Sequence, residues 1–246
     1  MIDVRADFHV HSCLSPCASL EMGPRAIVER AKDLGINVIA ISDHNSALNL
    51  PAFKTICEKE NIFPIFGMEI CSQEEVHCLS LFPTLKASLD MGEYVYSKLP
   101  QIKNNPEVFG DQVYVDCEEN ILGEVEIFLG SATTMSFEEV EKEVHLRGGL
   151  FIPAHIDRPM YGVISQLGFL PMADYDALEI SYHAIKNNDI PKTPEKINCI
   201  TDTDSHYLET LGVAYNKFQV EEMSFQAIKD ALKYAQIEMI INNKYD

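Results

Sequence analysis

The chain lacks any apolar run long enough to span a membrane. Its opening residues, Met-Ile-Asp-Val-Arg-Ala-Asp, also lack the basic, apolar and cleavage regions of a secretion signal, so a cytoplasmic protein is expected. Seven cysteines, an odd number at irregular spacing, exclude a regular disulfide framework and predict reduced thiols. Basic residues are scarce, with 19 Lys and Arg against 38 Asp and Glu for a formal net charge of −19. Extended contact with a phosphate backbone relies on clustered cations, so a large nucleic-acid partner is disfavoured. A small phosphorylated ligand stays compatible, because bound divalent ions invert the local field whatever the global charge. There is no internal repeat or low-complexity segment, and 246 residues suffice for one α/β barrel or two small domains.

What the chain does have is a pair of ligand-type doublets near its two ends, His9 with His11 and Asp204 with His206. In a strand, residues i and i+2 share a face, so each doublet projects two metal-type side chains from one strand end. Between them the first third alternates strand and helix. An apolar stretch runs to His11, a helix from about Pro24 to Leu34 ends at Gly35, and Val38 to Ile41 forms a strand. A helix around Phe53 to Lys59 leads to a strand over 62–66, and Val76 to Leu81 reads as another. Between Pro83 and Gly149 the rhythm breaks. A helix near Leu85 to Leu99, a polar Asn-rich stretch, a hairpin across Gln112 to Phe128 and a capping box of Ser136 with Glu139 read as an insertion within one domain of residues 1–246. Strands at 150–152, 177–180 and 198–201 and a closing helix from Ser224 to Tyr234 restore the βα pattern.

The remaining ligand-type residues fall at strand C-termini: His44, Glu69, His155, Asp204 and His206. That end carries the active site in parallel α/β barrels. His77 lies near the start of its strand and reaches the same mouth only if that strand runs the other way. His145 reads as solvent-facing.

Six ordered segments, Asp7-Phe8-His9-Val10-His11-Ser12, Ser42-Asp43-His44, Gly67-Met68-Glu69, Val76-His77, Pro153-Ala154-His155 and Thr203-Asp204-Ser205-His206, resemble the PHP (polymerase and histidinol phosphatase) superfamily. The resemblance implies a distorted (β/α)7 TIM-like barrel with two or three divalent ions, zinc, iron or manganese, at its mouth. It implies His9, His11, Glu69 and Asp204 around a first ion, His44, His206 and the residue at Cys17 around a second, and Glu69, His77 and His155 around a third. Family members commonly have His or Asp at the position of Cys17. The cysteine is either a soft thiolate ligand or a bystander with water in its place, and Cys13 is its rival.

Clustered ions of this kind supply hydroxide at neutral pH and clamp the oxygens of a phosphoryl group, which points to hydrolysis of a small phosphorylated metabolite. Arg158 is the candidate phosphate grip. His183 is a weaker candidate for a phosphate contact or proton donor, and Asp43 is expected to orient a ligand histidine through its free ring nitrogen. Lys103, Asn104 and Asn105 belong either to a lid that reads the leaving group or to a peripheral subdomain. The competing functions are a non-catalytic metal-dependent binding protein and a nuclease acting on nucleic-acid ends.

Overall fold

The computed structural model describes residues 1–242. β1 (Ile2–Asp7), α1 (Pro24–Asp33), β2 (Val38–Ile41), α2 (Leu50–Glu60) and β3 (Phe63–Cys71) follow the expected alternation. The helices form because each has one apolar stripe to bury: Ile27, Val28 and Ala31 on α1, and Phe53, Ile56 and Cys57 on α2. β1 to β3 pair in parallel. β4 (His77–Phe82) then turns back antiparallel to β3, with His77 opposite Cys71 and Phe82 opposite Phe66. This reversal brings the start of β4 to the end of β3, the condition that His77 needed.

The chain from Pro83 to Gly149 hangs between two neighbouring strands, since β4 pairs antiparallel with the later β7 (Leu150–Pro153). It contains α3 (Leu85–Tyr96), the short α4 (Pro106–Phe109), the hairpin strands β5 (Val113–Val115) and β6 (Ile121–Glu124), and α5 (Phe137–Leu146). The capping box forms as expected, Ser136 accepting from the Glu139 N–H and Glu139 from the Ser136 N–H. After β7 come α6 (Val163–Leu167), β8 (Leu178–Glu179), α7 (Tyr182–Lys186), β9 (Cys199–Ile200), β10 (Ala214–Val220), α8 (Phe225–Tyr234) and β11 (Glu238–Ile241).

The main sheet has seven strands in the order β11-β10-β1-β2-β3-β4-β7 and curls as a half-barrel. β8 and β9 form a separate parallel pair. Hydrogen bonds from Asp176 N to Phe151 O and from Ile156 N to Glu179 O join that pair to the β7 side. Val10 bridges Ser205, which joins the segment after β9 to the extension of β1. The strands are buried on both faces: Val38 and Ala40 of β2 pack in one apolar core, Ile39 and Ile41 in the other. Ile228, Ala231 and Leu232 of α8 close the first of these cores. Among the described residues no helix is long and apolar enough to cross a membrane.

Three expectations need correction. The first strand stops at Asp7, not His11, because the chain beyond leaves the ladder to reach Ser205 and Asp43. Glu69 lies inside β3, whose C-terminal half runs on to Cys71. β10 and β11 were not foreseen, although Ala214, Asn216, Phe218 and Val220 alternate buried with more exposed neighbours in the two-residue period of a strand.

Candidate metal centre

Glu69 is the hub. Its Oε1 lies 3.3 Å from His9 Nε2, 2.8 Å from His77 Nδ1 and 3.1 Å from His155 Nε2. Its Oε2 lies 3.3 Å from His11 Nε2 and 3.1 Å from His44 Nδ1. Asp204 closes the group, with Oδ1 3.0 Å from His11 Nε2 and 3.4 Å from His9 Nε2. His206 joins through its ring, stacked 4.3 Å from that of His11. Three sets of atoms lie close enough together to share an ion: His9, His11, Glu69 and Asp204; His11, His44 and His206; and His44, Glu69 and His77. These sets hold seven of the eight His, Glu and Asp positions named from the sequence, with His11 where Cys17 was expected and His44 where His155 was expected; His155 joins through Glu69 Oε1.

The remaining ring nitrogens show how the rings are aimed. His9 Nδ1 donates to Glu179, 3.0 Å from Oε2 and 3.1 Å from Oε1. His11 Nδ1 lies 2.9 Å from Ser15 Oγ, whose hydroxyl donates to Asp43 Oδ1 at 2.7 Å, so it accepts from the histidine. His206 Nδ1 donates to the Asp204 carbonyl at 2.7 Å. In all three the Nε2 lone pair is left for the centre, the arrangement that fixes tautomer and orientation in metal sites. Asp43, expected from the sequence to meet the free ring nitrogen of a ligand histidine, touches no histidine ring. It accepts from Ser12 N and Oγ and from Ser15 Oγ, and acts on His11 through that serine.

Electrostatics favour a cation here. Burial would raise the carboxyls of Glu69 and Asp204, but the surrounding histidines hold both well below the usual carboxylate range. Burial would lower the histidines, yet Glu179, Glu69 and Asp204 raise His9 well above its ordinary value, and Asp204 and Glu69 hold His11 at about 9. Where burial wins, His77 falls to about 4 and His206 to about 3. Two observations test the fit of metal ions. Asp204 Oδ1 sits beside two imidazole nitrogens yet, buried, has no aligned hydrogen-bond donor, and buried His155 Nδ1 has no partner. His155 and Asp204 both hold a positive φ, 28° and 48°, a strained backbone for such residues that persists where a site over-determines it. The donor set of imidazoles bridged by a carboxylate fits zinc, iron or manganese.

Cys17 lies outside the three tight sets but lines one cavity with His44, Glu69, His77, His155, Asp204 and His206. Cys13 is buried against Val113 and Asn49. Arg158 lines the cavity and donates to Asp204 Oδ2. His183 is exposed at the start of α7 against the Tyr182 ring and is not part of that lining. Its pKa is lowered by burial and by the Arg158 and Lys186 charges. His145 is not free in solvent; its Nε2 is 2.8 Å from Asp176 Oδ2. Asn104 and Asn105 serve the loop itself, Asn104 donating to Gly110 O and Asn105 capping α4. The part of this segment that reaches the cavity is instead Phe109, Phe128 and Gly130.

Sequence reasoning missed Glu179, whose signal was a glutamate inside an otherwise apolar buried strand. It also missed the Asp7 and Asp202 strap. Asp7 accepts from Thr203 N at 3.2 Å and Oγ1 at 2.6 Å, and Asp202 accepts from Phe8 N at 2.7 Å, tying the first doublet to the last. Burial pushes Asp7 up to about 7 and Asp202 well above its usual range. Tyr161 was missed too; its ring lies parallel on His77, centroids 4.2 Å apart.

Fold and site together define an α/β half-barrel protein with a buried histidine–carboxylate centre. A family model for the PHP domain matches residues 7–94, a stretch that holds four of the six motifs. Among solved structures, the lesion-specific endonuclease PfuEndoQ from Pyrococcus furiosus superposes with a TM-score of 0.69 at 20% identity, over 97% of this chain and 58% of that one. A two-domain protein from Bacteroides vulgatus containing a predicted PHP-like metal-dependent phosphoesterase gives 0.56 at 14% identity, over 98% and 65%. A protein from Bifidobacterium adolescentis assigned as a metal-dependent phosphoesterase gives 0.52 at 17% identity, over 82% and 87%. The chain thus spans about 58% of the endonuclease's length. These likenesses establish the fold. No curated protein matches the sequence.

Proposed function

We propose that this chain is a metal-dependent hydrolase that cleaves the phosphoester of a small phosphorylated metabolite. The observation that carries the reading is one cavity lined by His44, Glu69, His77, His155, Asp204 and His206 together with the single guanidinium of Arg158. His9, His11, Glu69 and Asp204, then His44 and His206 with Cys17 beside them, and Glu69, His77 and His155 would hold divalent ions, which would supply Lewis acidity when bound. Glu69 presents both oxygens to the histidines and so is the residue fit to bridge ions. Glu179 holds the His9 ring, and Asp43 holds that of His11 through Ser15. Arg158 carries a planar fork into the cavity and binds phosphate oxygens there, leaving Asp204 Oδ2 when it does so. His183 stays a peripheral candidate for donating a proton to the departing alcohol.

A nuclease reading has one specific observation behind it, the similarity to PfuEndoQ and to an Endonuclease Q in complex with a 27-mer duplex substrate carrying an abasic lesion at the active site. The net charge of −19 and the lone guanidinium of the cavity weigh against an extended strand. The experiment is hydrolysis of a phosphoester panel, including an abasic duplex, by metal-analysed protein beside a His9→Ala, Asp204→Ala double variant. Turnover of small esters by the parent alone supports the proposal. Turnover confined to the duplex supports the nuclease, and bound metal with no turnover supports a binding protein.

A further inference from the structure

A second cavity, of about 420 Å³, lies between the start of α2, the helix α3 and the hairpin, and it shares no lining residue with the metal centre. Its volume falls within the roughly 300–1,000 Å³ of small-molecule sites. On α3, Leu89, Gly92, Glu93 and Tyr96 line it at i, i+3, i+4 and i+7, a single stripe of the helix. Such a stripe ordinarily packs on other side chains, but this one faces open space.

The opposite walls are held in place by close packing. A Cβ at Gly92 would lie 3.3 Å from Ala47 Cβ and 3.4 Å from Met68 Cε, so α3 sits directly on the loop before α2. Tyr114 of β5 pairs with Gly123 across the hairpin and lies over it, where a Cβ would come within 2.5 Å of the phenol oxygen. Glu124 and Glu126 flank the buried Val125 and line the cavity with it.

The lining has one sign of charge. It holds three carboxylates and no Lys or Arg, and among the described residues Glu93, Glu124 and Glu126 make no ion pair. Ser46 also lines it and is only 6% exposed, yet among the described residues its hydroxyl has no hydrogen-bond partner. Buried hydroxyls are normally paired, so this one points to a polar group supplied from outside the chain.

We propose that this cavity binds an aliphatic polyamine. Its ammonium groups pair with Glu93, Glu124 and Glu126, its methylenes cover Ala47, Leu89 and Val125, and Ser46 Oγ accepts from one ammonium N–H. The Tyr96 and Tyr114 rings present π faces that favour a cation beside them. A compact inorganic cation would satisfy the carboxylates and leave the apolar floor wet, whereas an apolar ligand would cover the floor and leave the carboxylates without a partner. Ammonium groups separated by methylenes match both. The inference does not depend on the phosphoesterase reading.

The test is calorimetric titration of the full chain with spermidine and with hexaamminecobalt(III), trications of which one is an aliphatic chain and the other compact. Salt at about 0.15 M screens diffuse attraction to the acidic surface. One spermidine per chain is expected, bound at least about tenfold more tightly than the cobalt complex, the size of about two buried methylenes. Glu93→Gln, Glu124→Gln and Glu126→Gln together should weaken spermidine roughly tenfold, as expected for three partly exposed ion pairs. The same loss of charge elsewhere, through Glu138→Gln, Glu221→Gln and Glu222→Gln, should leave the parent affinity. Tyr96→Ala should weaken spermidine and not the cobalt complex. Equal affinity for the two cations overturns the inference, as does equal weakening by the two triple variants or no binding of spermidine at all. A dimer in sedimentation that Tyr96→Ala makes monomeric would give this face to a second copy of the chain and overturn it as well.

Discussion

Replacing Glu179 by glutamine tests the centre at a point that no ligand occupies. The carboxylate, 1% exposed, accepts from His9 Nδ1 and from the backbone N–H of His155, at 3.0 Å in both cases through Oε2. A glutamine whose oxygen takes the place of Oε2 keeps both hydrogen bonds, but it sets an NH2 group where Oε1 lay 3.1 Å from His9 Nδ1 and removes the charge. Two electrostatic effects then compete. Losing the Glu179 charge lowers the His9 pKa and eases proton competition, but it also withdraws attraction from a dication, and the ion carries twice the charge of the proton it displaces. The loss of affinity wins. Removing such a supporting carboxylate typically weakens metal binding about 10–100-fold, equivalent to about 1.4–2.7 kcal/mol. Competition with a chromogenic chelator at pH 7 reads this directly, with thermal melting of the metal-free proteins reporting any structural damage. Parent-like affinity and stoichiometry in Glu179→Gln would refute the assignment of His9 as an ion ligand aimed by Glu179.

Metal removal makes stability fall toward alkaline pH. His11 and His44, both held at about 9 against 6.5 unfolded, bind protons in the folded chain that the unfolded chain releases, so their stabilisation is complete below pH 6.5 and lost as pH rises through 9. Denaturant melts of chelator-treated protein at pH 6.5 and pH 9 should show the drop, and saturating metal should remove it; equal midpoints without metal contradict the reasoning. Arg158→Ala should raise KM for phosphoesters roughly ten- to a hundredfold, the size of a lost charged hydrogen bond, with bound-metal stoichiometry retained. Steady-state kinetics showing an unchanged KM would remove Arg158 from substrate binding. Gly110→Ala, at φ +97° against the Pro16 carbonyl, should destabilise by about 1–3 kcal/mol, and an unshifted thermal transition would show the contact to be slack.

The eight His, Glu and Asp positions were legible because their signal is local: each falls in or beside an apolar run and within one of six ordered motifs, even where the strand end was misplaced, as at His11 and Glu69. His77 was legible only as a conditional, and the antiparallel course of β4 supplied the condition. Glu179 was not legible as a partner of His9, because the contact joins residues 170 apart through closure of β8 against β7. The Asp7 and Asp202 strap depends on the same closure. α6 and α7 are five residues long, too short for a periodic pattern to emerge, whereas β8 and β9 lie within the strands read at 177–180 and 198–201. The polar Asn-rich loop was readable as a loop, but the approach of Phe109 to the cavity was not, since it depends on how Gly110 folds the turn onto Pro16.

The pairing of β1 with β10, which sets Ile2 opposite Val220, has a consequence for how the molecule is made. Translation delivers β1 long before β10, so one of its edges stays unfilled while the intervening strands are made, and His9 and His11 wait likewise for Asp204 and His206. The histidine–carboxylate centre therefore closes late and is not an early folding nucleus. A product cut short before Asp204 keeps both an open strand edge and an incomplete centre, the combination that marks a chain for aggregation or removal.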